Sequence, residues 1–515
     1  MKTFTTIFFP AALIYFFIFH GSKHSTGELL AESLGQEIYK DFDSVKYDSV
    51  FINEFKSLSM QNENLSSLKA HFKNNVTPNF TIRFFGVKGL DSLITYLDKG
   101  FMHGFNSETF RTKELKNLIV TLKANNFTNV DESYSKLAKL EILSSYAFIK
   151  YAGYLKFGVV NPKKIYLRYN IDVKQADSLF IRNMLSAVNI VDTLNAIQNK
   201  SNQYVALQKA YLNSKNDSLK KILAINMERL RWVLPLKGEK YIQVNIPDFR
   251  LVYFNGEDTL TTMKVCVGER RDADYDKKLK IYEKTGDLDD KPNNRETPQL
   301  YSNIKYIYSN PEWNIPESIA QTEIYTMARR NSNYLRRHNI LVYHKNKLIE
   351  NPSNIRWYKY DRKKLPFLFV QQSGSGNSLG KLKFIFPNTS SVYLHDTNVK
   401  SAFKLNNRAI SHGCIRLEKP LQLAWHIMAN ETSFEKVRTE LGLKPLIMPV
   451  EKKNANVKKD IAEKLQLKPM RFLLDNETPL LITYHTAWAK NGKIEYRKDV
   501  YEMDEKLWNA MKIIR

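Results

Sequence analysis

The hydrophobic period of this chain changes near Pro235, and that change constrains the fold more than any other feature, although short helical and mixed segments return between Glu317 and Val370. From about Leu29 to Leu230 the apolar spacing is helical. The clearest case is Leu137, Leu140, Leu143, Ala147, Phe148, Tyr151 and Leu155, which share one face, with Gly158 where a C-cap glycine would sit and Asn161-Pro162 opposing continuation. A second such segment carries Leu219, Ile222, Leu223, Met227 and Leu230 and stops by Pro235. Beyond Pro235 the period becomes two, in Lys240–Ile246, Phe249–Phe254 and Leu260–Val267, with turns at Pro247-Asp248 and Asn255-Gly256. Strands are expected again at Lys381–Phe386 and Ser391–Leu394. The expected class is α+β, with a helical N-terminal scaffold over residues 25–236 and a β-rich domain over 237–515. A length of 515 residues with 43% hydrophobic content suits such folded material and excludes wholesale disorder.

Lys2 precedes an uncharged stretch, Thr3–Phe19, that has the charged start and apolar middle of a secretory signal. As a helix it would reach roughly 25 Å, short of a hydrocarbon core of about 30 Å, and Pro10 interrupts it. Residues 1–24 are expected to be a signal peptide or an N-terminal anchor that places the protein in the cell envelope, on the periplasmic side. Residues 270–295 are dense in both charge signs and are expected to form an exposed insertion.

A formal charge of +25 calls for a polyanionic neighbour. Part of it is local, since residues 321–370 hold 11 Lys+Arg against 3 Asp+Glu. Nucleic acid is not the expected partner, because no helix-turn-helix, RNP or zinc-finger spacing accompanies the basic stretch. Ser373-Gly-Ser-Gly-Asn-Ser-Leu-Gly-Lys381 fails the spacing of a phosphate-binding loop.

Chemistry is concentrated in Tyr393-Leu-His-Asp-Thr-Asn398 and Arg408-Ala-Ile-Ser-His-Gly-Cys-Ile-Arg-Leu417. Thiolate is the reactive form of cysteine, so Cys414 as a nucleophile needs a base or cation to bring its pKa below about 8.5. His395 and His412 are the candidates. His395 ends a strand pattern and can be brought opposite the thiol by a loop, so it is the preferred base. Gly413 allows unusual dihedrals, and the Gly413 and Cys414 amides could donate to an oxyanion. Arg416 either grips a substrate carboxylate or braces the loop. The other cysteine, Cys266, sits in an apolar alternation and reads as a packed strand residue. No metal site or cofactor is expected, since His395, His412 and Cys414 lack an evident fourth ligand.

Ser411-His-Gly-Cys-Ile-Arg416 with His395 upstream resembles the active-site signature of the YkuD-type L,D-transpeptidases, cysteine enzymes that cross-link peptidoglycan. The larger, scaffolded subgroup is the closer likeness. It is similar in Asn226-Met-Glu-Arg-Leu-Arg-Trp232, Val244-Asn-Ile-Pro247, Asn310-Pro-Glu-Trp-Asn-Ile-Pro316, Gly376-Asn-Ser-Leu-Gly-Lys381, Phe386-Pro-Asn388 and Tyr484-His-Thr-Ala-Trp488. The resemblance implies that Cys414 attacks a tetrapeptide donor and forms a thioester, with His395 as base and the carbonyl of Asp396 orienting it. A second stem peptide would accept the acyl group in a 3→3 cross-link. Water, a D-amino acid or a protein amine are alternative acceptors, and a non-catalytic wall-binding scaffold is the reading from another class.

The resemblance further implies substrate contacts from Arg416, Ser411, His412, Tyr393, Trp313 and Asn314. Residues 317–372 would be a capping insert, so the basic stretch would meet carboxylate-rich stem peptides or an anionic membrane. Carbapenem β-lactams would be acylating inhibitors. A peptidoglycan-binding module common in large relatives is missing between Leu212 and Leu219. Thr297-Pro298 follows the charged insertion, with no role assigned.

Overall fold

The computed structural model describes residues 24–61, 65–73, 76–236, 238–428, 430–444 and 468–514. The expected signal or anchor therefore lies, but for His24, outside the described residues. No helix among the described residues is long and apolar enough to cross a membrane. The chain divides into two compact units, one with residues 24–160, 174–233 and 509–514, the other with 161–173 and 234–508. The division departs from a single boundary at residue 236. Residues 161–173 join the second unit because Tyr169–Asn170 pairs with one of its strands.

The first unit is helical, as its apolar spacing requires. At its centre Tyr134–Phe157 runs for 24 residues and ends at Gly158, whose φ is +81°. A helix that supported only one neighbour would bury one stripe. Here Ser44–Gln61, Asn79–Phe84 and Thr112–Ala124 all pack on it, so Leu137, Ile142, Phe148 and Ala152 are buried together and the expected single apolar face is corrected to a surrounded helix. Its buried Glu141 accepts hydrogen bonds from the Phe80 and Thr81 amides at 2.9 and 2.8 Å, which satisfies the exposed donors at a helix start.

The quoted segment Asn226–Trp232 belongs to another buried network in this unit. Arg231 pairs with Glu228 at 2.9 Å and donates to the Tyr204 hydroxyl and the His103 carbonyl, while Glu228 accepts from the Val159 and Val160 amides. An ion pair removed from water persists only when its remaining donors and acceptors are satisfied, and here they are.

The second unit is built on strands β1 (Tyr169–Asn170), β2 (Lys240–Asn245), β3 (Arg250–Asn255), β4 (Asp258–Gly268) and β5 (Gln299–Ser309). Then come β6 (Trp313–Asn314), β7 (Ile340–His344), β8 (Lys347–Leu348) and β9 (Phe367–Gln371), followed by β10 (Leu382–Ile385), β11 (Leu394–His395), β12 (Ala409–Ser411), β13 (Ile415–Leu417) and β14 (Met470–Thr483). The main sheet runs β1-β5-β10-β11-β13-β4-β3-β2-β14, with β12 beside β4. Because β14 pairs with β5 as well as β2, the sheet closes on itself and has few free edges. Period-two alternation buries Ile242, Val244, Leu251, Val265, Ile307, Phe384, Leu394, Ile415 and Ile482.

Strands β6, β9, β7 and β8 form a separate sheet, and helices between Glu317 and Arg337 close its core around Ile324, Leu335, Val342, Trp357 and Phe369. The charged segment 270–295 is an ordered excursion carrying a helix, Tyr275–Thr285, with no buried residue. Its ends are tied where the Asp272 carboxylate accepts from the Asn293 amide, 3.2 Å away.

Candidate active site

Three short strands bring the chemical residues together. Register pairs Lys383 of β10 with His395 of β11, and His395 with Arg416 of β13. Paired residues point to the same face, so an imidazole lies between two cations. The Ile415 amide donates to the Tyr393 carbonyl at 3.0 Å, which sets Cys414 beside Tyr393. Tyr393 and His395 rings lie 5.6 Å apart, and Lys383 Nζ sits 3.9 Å over the Tyr393 ring. The strand expected over Ser391–Leu394 is shorter and later, at Leu394–His395, because the Asn388 side chain holds the turn at Ser390 and Val392.

The loop carrying Cys414 is fixed from below. Gly413 has φ +119°, a region that disfavours side chains. Ser411 Oγ donates to the Cys414 carbonyl at 2.5 Å and accepts from the Gly413 amide at 3.1 Å. Ser411 is thus a bracing residue, which corrects its expected substrate contact. The Gly413 amide is taken by the same hydroxyl, which corrects the paired oxyanion donors and leaves the Cys414 amide. Thr297 Oγ1 donates to the Gly413 carbonyl and accepts from the Gly268 amide, both at 2.8 Å. Tyr501 in turn donates to the Gly268 carbonyl at 2.6 Å. A side chain at Gly268 would meet the Arg295 carbonyl at 1.8 Å, so the strand end admits only glycine.

The electrostatics differ from the sequence expectation. Cys414 retains some exposure as a residue, yet dense packing around its sulfur raises the thiol pKa. Tyr393, Lys383 and Arg416 pull the other way without prevailing. Burial, then Arg416 and Lys383, lower His395 to about 3. At neutral pH the pair therefore rests as thiol and neutral imidazole, so the expected lowering of the thiol is corrected. His395 Nδ1 has no hydrogen-bond partner at normal geometry, although the Asp396 and Leu379 backbones lie near enough to oppose the lowering slightly. The Asp396 carboxylate turns elsewhere, accepting from the Lys381 amide at 2.9 Å and pairing with Lys400.

His412 Nε2 lies 2.5 Å from Glu323 Oε1, and the same carboxylate pairs with Arg295 at 3.1 Å. The His412 ring is thus engaged by a carboxylate. Trp313 lies beside the Tyr393 hydroxyl, whose pKa burial raises. Asn314 is exposed on β6 and is not brought into this group. The Arg416 backbone belongs to the sheet ladder, while its guanidinium makes no hydrogen bond or ion pair with any described residue. Lys383 and Arg168 were missed from sequence, as were the supports Thr297 and Tyr501. Arg168, delivered by the strand-forming excursion 161–173, is near enough to Cys414 to feel its charge. Lys383 had a usable signal, a polar position between Leu382 and Phe384.

Parts of the chain are similar to known proteins. Residues 239–438 match the YkuD family, described as the L,D-transpeptidase catalytic domain, and residues 79–210 match a family described as a scaffold domain. A Haemophilus influenzae protein named "Putative L,D-transpeptidase" is 27% identical over 350 residues, covering 67% of this chain and 62% of that protein. The chain thus has a helical region that matches a scaffold domain, followed by a β-rich region that matches the YkuD L,D-transpeptidase catalytic domain.

Proposed function

We propose that this protein is a periplasmic L,D-transpeptidase that forms 3→3 cross-links between peptidoglycan stem peptides through a thioester on Cys414. The observation that carries this reading is the adjacency of β11 and β13, which sets Cys414 beside Tyr393 and His395 beside Arg416. Cys414 Sγ attacks the carbonyl carbon of the third residue of a tetrapeptide donor while His395 accepts the thiol proton. The C–N bond to the terminal D-alanine then breaks, the proton passes from His395 to the leaving amine, and a thioester remains. An amine of a second stem peptide attacks that thioester. His395 takes the amine proton and returns it to sulfur as the C–S bond breaks.

At neutral pH the imidazole is unprotonated and can accept a proton, and burial with the nearby cations makes it a weaker base than a free histidine until substrate binds. The Cys414 amide stabilises the tetrahedral oxyanion. The Arg416 guanidinium, without a hydrogen-bond or ion-pair partner among the described residues, is free to grip a substrate carboxylate. Its bracing role has no contact to support it. Export by the N-terminal segment and acylation by carbapenems belong to the same reading.

The test is product analysis by mass spectrometry with disaccharide tetrapeptides, comparing wild type, Cys414→Ala and His395→Ala. A 3→3 dimer from wild type alone is expected. Tripeptide without dimer would reassign the acceptor to water, and no turnover under conditions where a control enzyme works would overturn the reading.

A further inference from the structure

Lys383 is an isolated cation in a partly buried place. It stands on β10 between the buried Leu382 and Phe384, facing Tyr308 on one side and His395 on the other. Its ammonium has no hydrogen bond or ion pair with any described residue, and its close contact is the face of the Tyr393 ring at 3.9 Å. Ammonium groups shielded from water are normally paired, because an unpaired one costs desolvation without return. Carboxylates are close by in sequence yet do not serve it. The Asp396 carboxylate is held by the Lys381 amide and Lys400.

We propose that Lys383 is a positioning residue that acts through His395 and Cys414, its unpaired charge biasing that pair toward neutral imidazole and toward thiolate. The inference rests on reading those two residues as the reacting pair. The groups facing them are Lys383 from β10, Arg416 from β13, the Tyr393 hydroxyl, and Arg168 toward Cys414 alone. Every charged member is cationic, so removing Lys383 or Arg416 moves both groups in the same direction. Burial and the direction of the shifts agree, since Lys383 lowers both His395 and Cys414.

A positive charge beside the pair favours the uncharged imidazole and the thiolate, so its loss raises both titrations. The alkylation rate of Cys414 by iodoacetamide, followed site by site by mass spectrometry from acid to alkaline pH, reads both groups without requiring peptide turnover. In Lys383→Met the limb set by His395 and the limb set by Cys414 both move to higher pH. Lys383→Arg keeps both limbs in place. Lower amplitude with unmoved limbs would make Lys383 merely structural and overturn the proposal. Lys383→Gln supplies the same comparison should the methionine variant not fold. Because the readout is alkylation, loss of the transpeptidase reading would show in peptide products and leave these limbs to be judged separately.

Discussion

Two buried histidines, one in each unit, have nearly the same electrostatics and opposite hydrogen bonding. His103 in the helical unit and His395 in the sheet unit are both lowered to about 3, by burial first and then by an arginine, Arg231 or Arg416. His103 Nδ1 lies 2.9 Å from the Tyr204 hydroxyl and 3.1 Å from the Gln208 amide nitrogen. His395 Nδ1 has no such partner. The neighbouring arginines differ in the same way, since Arg231 is fully engaged and Arg416 is not. A low pKa alone therefore does not mark a functional site. Unspent hydrogen-bonding capacity beside a nucleophile does.

The strongest way to sharpen the contrast is to remove a partner from each network. Glu228→Ala leaves Arg231 buried with its charge uncompensated and should cost about 3 to 5 kcal/mol in guanidinium unfolding. His395→Ala should cost clearly less stability while abolishing acyl transfer. Equal losses would erase the distinction.

Acid exposes what the two histidines share. Each takes up protons in the unfolded chain below pH 6.5 but in the folded chain only near pH 3. Folded stability is therefore fully present above 6.5 and falls as pH drops toward 3, by about 1 kcal/mol per pH unit for each histidine. Replacing either by Gln should flatten the pH dependence of the unfolding midpoint, and an unchanged slope would count against neutral burial.

Thr297→Val removes the link between Gly413 and Gly268 and should cost about 1 to 3 kcal/mol, with slower alkylation of Cys414. Thr297→Ser should retain most of both. The smallest effect belongs to Glu323→Gln, which loosens a half-exposed contact to His412 and Arg295. Its stability cost should stay under about 1 kcal/mol, and loss of all activity would make His412 more than a tethered neighbour.

Much of the architecture was legible because periodicity reports burial directly. The helix to Gly158 and strands β2 to β4 follow from apolar spacing and turn residues alone. Tyr134–Phe157 was misjudged as one-faced because Ser144 and Ser145 look polar, although the surrounding helices bury them. Residues 161–173 were assigned to the helical part because a two-residue strand leaves no period to read. Residue chemistry singles out Cys414 and His395, and strand register sets Cys414 beside Tyr393 and His395 beside Arg416. Ser411 and Gly413 were read as facing substrate because spacing says nothing of which atom a hydroxyl or amide meets. Lys383 and Arg168 were missed because strand register and a distant excursion, not sequence proximity, bring them near the thiol.

The proposed carrier of the acyl group is Cys414. Intact-protein mass spectrometry after brief mixing with a disaccharide tetrapeptide tests it most directly. The expected result is a hydroxylamine-labile adduct equal to the donor minus D-alanine, mapped to Cys414 and missing from Cys414→Ala. An adduct on another residue, or turnover undiminished in Cys414→Ala, would contradict it.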